Sequence, residues 1–175
     1  MKNSEINREA EKIGSTIFKA IGSRTPSLLE LIKWMEDNFG IRIKVGSGTS
    51  DGFHQVSGLS GLEYFDPSLG AYRVWFRQSD SSGRQNFTIV HEIGHIFLNS
   101  PREKFGFHDG NVYDRQDQER FCNRFAAAFL MPKDLFIEKW HALEDDLTFK
   151  KLRMVSFFKV SGEAVHYRAK ELGLI

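Results

Sequence analysis

Two histidines four residues apart flank a glutamate in the run His91-Glu92-Ile93-Gly94-His95. On a helix, positions i and i+4 share a face, so both imidazoles project the same way and can converge on one cation. Zinc is the expected ion, because imidazole nitrogen is a borderline-soft ligand that suits its tetrahedral site. Glu92 is too near in sequence to point at the same ion as a third ligand. It is placed to act on water, taking a proton once the ion has lowered the water's pKa toward about 7 and handing it to a leaving amine. That is hydrolysis without a covalent enzyme intermediate. With 6 His and 13 Glu in 175 residues, His-Glu-x-x-His arises by chance about 0.015 times. The structural alternative is a helix with two core or solvated histidines.

A third ligand must come from elsewhere. Extending the pattern to His-Glu-x-x-His-x-x-Gly-x-x-His fails, since Leu98 and Pro101 occupy the Gly and His positions. Glu119 lies 24 residues beyond His95, near the start of a strongly patterned helix. Asn123 follows it by four on the same face, where a side-chain amide could hydrogen-bond a ligand's outer atom and fix its orientation. Asp117 is the alternative ligand, although capping alone explains an acidic side chain at a helix start.

The elements that must position these residues are legible as changes of period. Ile6, Ala10, Ile13, Ile17 and Ile21 make one helical stripe. Leu28, Leu31, Ile32, Met35 and Phe39 make a second after Pro26-Ser27, stopped by Gly40. Residues 41–45 alternate with period two, as a half-buried strand does. Residues 46–52 form a glycine-rich loop without the Gly-Lys-Ser/Thr ending of a phosphate loop. Two strands over 55–65 and 71–77 are joined by Asp66-Pro67-Ser68-Leu69-Gly70, a connection suited to a hairpin. A helix is predicted over 85–99 and another over 117–131, burying Phe121, Cys122, Phe125, Phe129 and Leu130 and closed by Pro132. A last helical region fills 132–175.

Composition bounds the function classes. A formal charge of +1 gives no overall electrostatic case for nucleic acid or anionic membrane. The total conceals a division, −3 before Lys150 and +4 in the last 26 residues. The single cysteine, Cys122, excludes an internal disulfide or a cysteine-based metal cluster and suits a reducing compartment. The polar start and the lack of a long apolar run predict a cytoplasmic protein with no membrane partner. The 16 Phe residues are expected to fill the core.

Three blocks resemble the ImmA/IrrE family of metallopeptidases: Phe87 to His95, then Glu119 to Pro132, and Phe158 to Val165. The second is the most discriminating, with its Glu-x-x-x-Asn-x-Phe-Ala core ending in Leu-Met-Pro and Cys122 where alanine is usual. The resemblance implies an α+β fold with N-terminal helices, a small mainly antiparallel sheet, a zincin-type helix plus a second metal-ligand helix, and a C-terminal helix-turn-helix-like unit. Residues 1–146 would form the metallopeptidase domain and 147–175 the helical unit. The family match makes His91, His95 and Glu119 the ligands of one zinc ion and Glu92 the catalytic glutamate. It further implies a selective endopeptidase whose partner is a helix-turn-helix repressor, with stress-response, prophage or mobile-element genes released by its cleavage.

Other residues invite roles. A peptide hydrolase needs a group to stabilise the developing oxyanion, and His108, Tyr113 and Arg115 are candidates in the irregular segment between the metal helices. An exposed sheet edge can hold an extended substrate by strand addition. Residues 71–77 are the candidate edge, with an internal strand as the equal alternative. The tail shows a helix, a break at Phe158-Lys159-Val160, a Ser161 cap and a second helix, which is a helix-turn-helix outline. Weak DNA contact through 150–175 is one reading of it and a structural or repressor-docking module the other. The rival function is therefore a non-catalytic, metal-stabilised regulator. His54, His141 and His166 stand alone and are expected to be surface or capping residues.

Overall fold

The computed structural model describes residues 3–47, 60–99, 114–143 and 146–175. Helix α1 (Asn3–Ile21) buries Ile6, Ala10, Ile13 and Ile17, the stripe set by its spacing. Helix α2 (Leu28–Phe39) starts at Ser27, whose Oγ accepts from the Glu30 N–H at 3.4 Å, and ends at Gly40 with φ of 69°. That left-handed conformation costs glycine little.

Strands β1 (Ile43–Ser47), β2 (Gly61–Asp66) and β3 (Ala71–Phe76) form a mixed sheet in the order β1-β3-β2. β2 and β3 make the expected antiparallel hairpin, from Gly61↔Phe76 to Asp66↔Ala71, while β1 runs parallel to β3. The hairpin turn is braced by Arg42, whose Nη2 donates to the carbonyls of Leu69 and Gly70 at 2.9 and 3.2 Å. The candidate edge over 71–77 is overturned. β3 is the central strand, because β1 takes up its second row of backbone groups. Its internal position agrees with the burial of Ala71 and Val74, and β1 and β2 are the edges among the described residues. The first part of the strand expected over 55–65 lies outside the described residues.

Helix α3 (Ser82–Leu98) starts three residues before the predicted position, because Ser81 caps it through Oγ to the Arg84 N–H. Helix α4 (Arg115–Leu130) starts at Arg115 rather than Asp117, with Asp114 Oδ1 accepting from the Asp117 N–H at 2.8 Å. The last helical region resolves into α5 (Lys133–His141), α6 (Leu147–Phe158) and α7 (Gly162–Glu171).

α4 lies between α1 and α3, and phenylalanines fill both seams. Phe18 meets Phe129 edge-on at 6.4 Å on the α1 side, while Phe97 and Phe121 each stack on Phe125 at 5.9 and 6.2 Å on the α3 side. Phe121, Phe125 and Phe129 have no solvent exposure. Truncating one such ring costs about 3–5 kcal/mol, so the two helices that carry the histidines and Glu119 are held by packing. Further along, Phe136 stacks on both Trp140 and Phe158, and the same core continues through Met154, Val160, Val165 and Ala169.

Two devices fasten α7 to the rest. Gly83, in the first turn of α3, approaches the α6–α7 turn so closely that a Cβ there would sit 2.4 Å from the Val160 carbonyl carbon. One turn on, Asn86 Nδ2 donates to the Lys159 carbonyl at 2.9 Å. On the other side, the fully buried Arg168 grips Glu11 of α1 with both terminal nitrogens, at 2.9 and 2.7 Å, and donates from Nε to the Met131 carbonyl at 3.0 Å. Arg124 joins this network. It contacts Glu171, and its Nε lies 2.9 Å from Glu11 Oε2 without the alignment of a hydrogen bond. Among the described residues, no helix is long and apolar enough to cross a membrane.

Candidate metal centre and groove

The helical spacing of His91 and His95 turns both rings toward the N-terminal half of α4. Their Nε2 atoms lie 3.2 Å apart, and the Glu119 carboxylate closes the triangle with one oxygen 3.3 Å from His91 Nε2 and the other 3.4 Å from His95 Nε2. These three residues could hold a metal ion. A tetrahedral ion with bonds of roughly 2.0–2.1 Å keeps neighbouring donor atoms roughly 3.3–3.4 Å apart, and the two imidazole nitrogens at 3.2 Å are close to that spacing, with a carboxylate oxygen of Glu119 near each. The opposite face of His91 is occupied as well. Its Nδ1 lies 3.0 Å from Asn123 Oδ1, so an N–H there donates to the amide oxygen and the Nε2 lone pair is left free for a cation. The imidazoles are recessed at 14% and 16% side-chain exposure, whereas Glu119 is 49% exposed. The centre is therefore open on the Glu119 side.

The charges agree with this arrangement. Burial, then the neighbouring His95, pushes the His91 pKa down against the pull of Glu119 and Asn123, favouring the neutral ring that can act as a ligand. Glu92 is pushed up to about 7 by burial and by the nearby charges of Glu63 and Glu119. It can hold or release a proton near neutrality, which a proton-shuttling carboxylate requires. Glu63 is also raised by burial. Cys122 sits behind α3, its sulfur 3.2 Å from where a Gly94 Cβ would be, and burial followed by the Glu119, Glu92 and Glu63 charges pushes its pKa up. It remains a protonated, inert thiol.

His91, Glu92, His95, Glu119 and Glu63 line a groove of about 1300 Å³. Ser60, Gly61, Leu62 and Glu63 of the β2 edge form one bank, α3 and α4 the floor, and α7 with Ser161, Ala164 and Tyr167 the far wall. Gly61 passes so close over α3 that a Cβ would lie 2.6 Å from Glu92 Oε1 and 2.4 Å from Thr88 Cγ2. Only glycine lets the β2 backbone reach the glutamate at that distance. No sequence signal marked Gly61 or Glu63, because strand order cannot be read from a local pattern.

Asp117 is in the first turn of α4, and the donor cluster among the described residues is His91, His95 and Glu119. Arg115 corrects one expectation. It is the first residue of α4 rather than part of an irregular segment, and it lines the groove one turn before Glu119. His108 and Tyr113 lie outside the described residues, as does His54. His141 ends α5 exposed, and His166 Nδ1 lies 3.2 Å from Lys151 Nζ.

The IrrE N-terminal-like domain, Peptidase_M78, matches residues 37–170. The chain belongs to this family. Peptidase_M78 is a metallopeptidase family, and its match spans β1 to α7, taking in both metal helices and the groove's banks. None of the curated proteins matches the chain. Among solved structures, a Mycobacterium tuberculosis transcriptional regulator is similar, with a TM-score of 0.60 at 19% identity over 96% of this chain and 52% of that one. That likeness shows a shared fold, and this Peptidase_M78 chain spans about half the length of the regulator.

Proposed function

We propose that this Peptidase_M78 chain is a zinc-dependent endopeptidase that cuts a protein partner, a helix-turn-helix transcriptional repressor, and so releases stress-response, prophage or mobile-element genes. The observation that carries the reading is the convergence of His91, His95 and Glu119 on one point, with Glu92 lining the same groove. The repressor and the genes come from the family resemblance alone.

Bound by the three donors, zinc would act as a Lewis acid, making water more acidic and polarising a peptide carbonyl. Glu92, lining the groove beside the donor set, would take the water's proton and return it to the leaving amine. Asn123 keeps His91 in the tautomer with Nε2 free. As an edge strand among the described residues, β2 would offer backbone N–H and carbonyl groups to an extended segment, and Gly61 lets it lie against Glu92. Arg115, one turn before Glu119, is the described candidate to stabilise the oxyanion, alongside His108 and Tyr113.

Metal analysis of freshly purified protein should find about one zinc per chain, lost on His91→Ala or Glu119→Ala. Retention in both variants would exclude this centre. Incubation with the helix-turn-helix protein encoded nearest to it should give a discrete fragment that is absent with Glu92→Gln while zinc is retained. If Glu92→Gln still cuts, Glu92 is not the general base. The second reading is a non-catalytic regulator acting through residues 147–175, which carry the +4 balance from Lys150 onward. It predicts no cleavage and a salt-sensitive DNA association.

A further inference from the structure

The groove continues away from the metal ligands along the outer face of α4, where Arg120, Asn123, Arg124 and Ala127 line it. Three of its guanidinium groups already face carboxylates. Arg84 Nε lies 3.5 Å from Asp80 Oδ2, Arg124 is drawn to Glu11 and Glu171, and Arg168 holds Glu11 in a fork. Arg120 differs. Its Nε is shielded from solvent and meets no hydrogen-bond partner, and no ion pair joins the side chain to a described residue. A charged donor left unsatisfied in a partly dry place weakens the fold. The buried Nε is closed to a ligand, but the terminal nitrogens of Arg120 are not buried and have no carboxylate partner among the described residues, so they are the donors that an acceptor entering the groove can meet.

The chemistry of the acceptor follows from the donor and its surroundings. A guanidinium presents planar, forked N–H groups that match a carboxylate bidentately, which a single backbone carbonyl cannot do. The metal end of the groove carries Glu63, Glu92 and Glu119, so an acidic side chain entering there is repelled and drawn along α4. Arg120 immediately follows Glu119, and an extended chain advances roughly 3.3 Å per residue. The acidic position therefore falls within about four residues of the bond held over the donor set.

We propose that Arg120 is a specificity residue that anchors an Asp or Glu side chain of the segment to be cut, and thereby sets which bond lies over His91, His95 and Glu119. The proposal rests on the peptidase reading above, and its test keeps the two apart.

Full-length, zinc-loaded protein is incubated with a pool of randomised decapeptides whose C termini are amidated, which removes the terminal carboxylate as a competing source. Sequenced products should show Asp or Glu enriched at one position by about 10- to 100-fold, the scale of a charge-assisted hydrogen bond. Arg120→Gln should abolish that enrichment, and Arg120→Glu should reverse it toward Lys or Arg, with zinc content unchanged in both. In parallel the pool is passed over immobilised, zinc-loaded Glu92→Gln protein and the retained peptides are sequenced. Acidic enrichment there that vanishes with Arg120→Gln upholds Arg120 even if no peptide is cut, in which case the peptidase reading alone fails. Cleavage or retention without acidic enrichment, enrichment that survives Arg120→Gln, a uniform loss across all peptides, or neither cleavage nor retention overturns the proposal.

Discussion

The Nδ1 nitrogen of His91 has Asn123 Oδ1 at 3.0 Å, and that contact decides which ring nitrogen is left for a cation. Without the amide, His91 is free to place its proton on Nε2, beside the Nε2 of His95 at 3.2 Å, and the donor set loses a ligand part of the time. Removing an outer hydrogen-bond partner of this kind typically weakens metal binding about 10–100-fold. Asn123→Ala should therefore raise the zinc dissociation constant by that factor in a competition titration with a chelating dye, with little change in the unfolding midpoint of the metal-free protein. An unchanged affinity would remove Asn123 from the site. The amide was legible in the sequence because it follows Glu119 by four on a helix with an unambiguous apolar face. Arg120 and Glu63 were not legible, since whether a charged side chain finds a partner depends on strands and helices remote in sequence.

The metal helix reaches its place through contacts at its own N-terminal turn. Gly83 admits the backbone of Val160 and Ser161 where any Cβ would collide, and Asn86 adds a hydrogen bond to Lys159. The α6–α7 turn is thus seated one turn before Phe87, which lines the groove, and two turns before His91. Gly83→Ala places a methyl 2.4 Å from a backbone carbon, which cannot rotate away as a side chain can. Overpacking of this kind costs typically about 1–3 kcal/mol. The variant should unfold at lower urea and show altered groove resonances, including Tyr167, while zinc content stays at the native value. A native midpoint would mean that the α6–α7 turn yields without cost. The break at residues 158–160 and the Ser161 cap were readable from local chemistry, and so were the seven helices of the described residues, as apolar stripes or, in the last region, as helical content. The sheet order was not. Residues 71–77 carry the same aromatic positions, Tyr72, Trp75 and Phe76, whether the strand is central or at an edge, and the parallel ladder from β1 decides between them.

At the scale of the molecule, the two ends of the chain meet. Glu11 on α1 is held by Arg168 on α7, and Arg124 on α4 lies between Glu11 and Glu171. Arg168 is buried, so removing it leaves Glu11 with Arg124 as its cationic partner, a loss smaller than the about 3–5 kcal/mol of a buried charge left wholly unpaired. The apolar core passes through the same region, from Ile6 and Ile13 to Val165 and Ala169. Such a junction couples the C-terminal helices to the metal-bearing body, and a body so coupled unfolds as one unit. The three tryptophans are placed to test this, with Trp34 in α2, Trp75 in β3 and Trp140 in α5 against α6. In variants that keep one tryptophan each, urea transitions followed by fluorescence should coincide with one another and with the loss of helical circular dichroism. Arg168→Met should shift all of them together to lower urea. If the Trp140 signal moves ahead of the others in that variant, residues 147–175 detach first, and the groove can lose its α7 wall while the metal ligands stay in place.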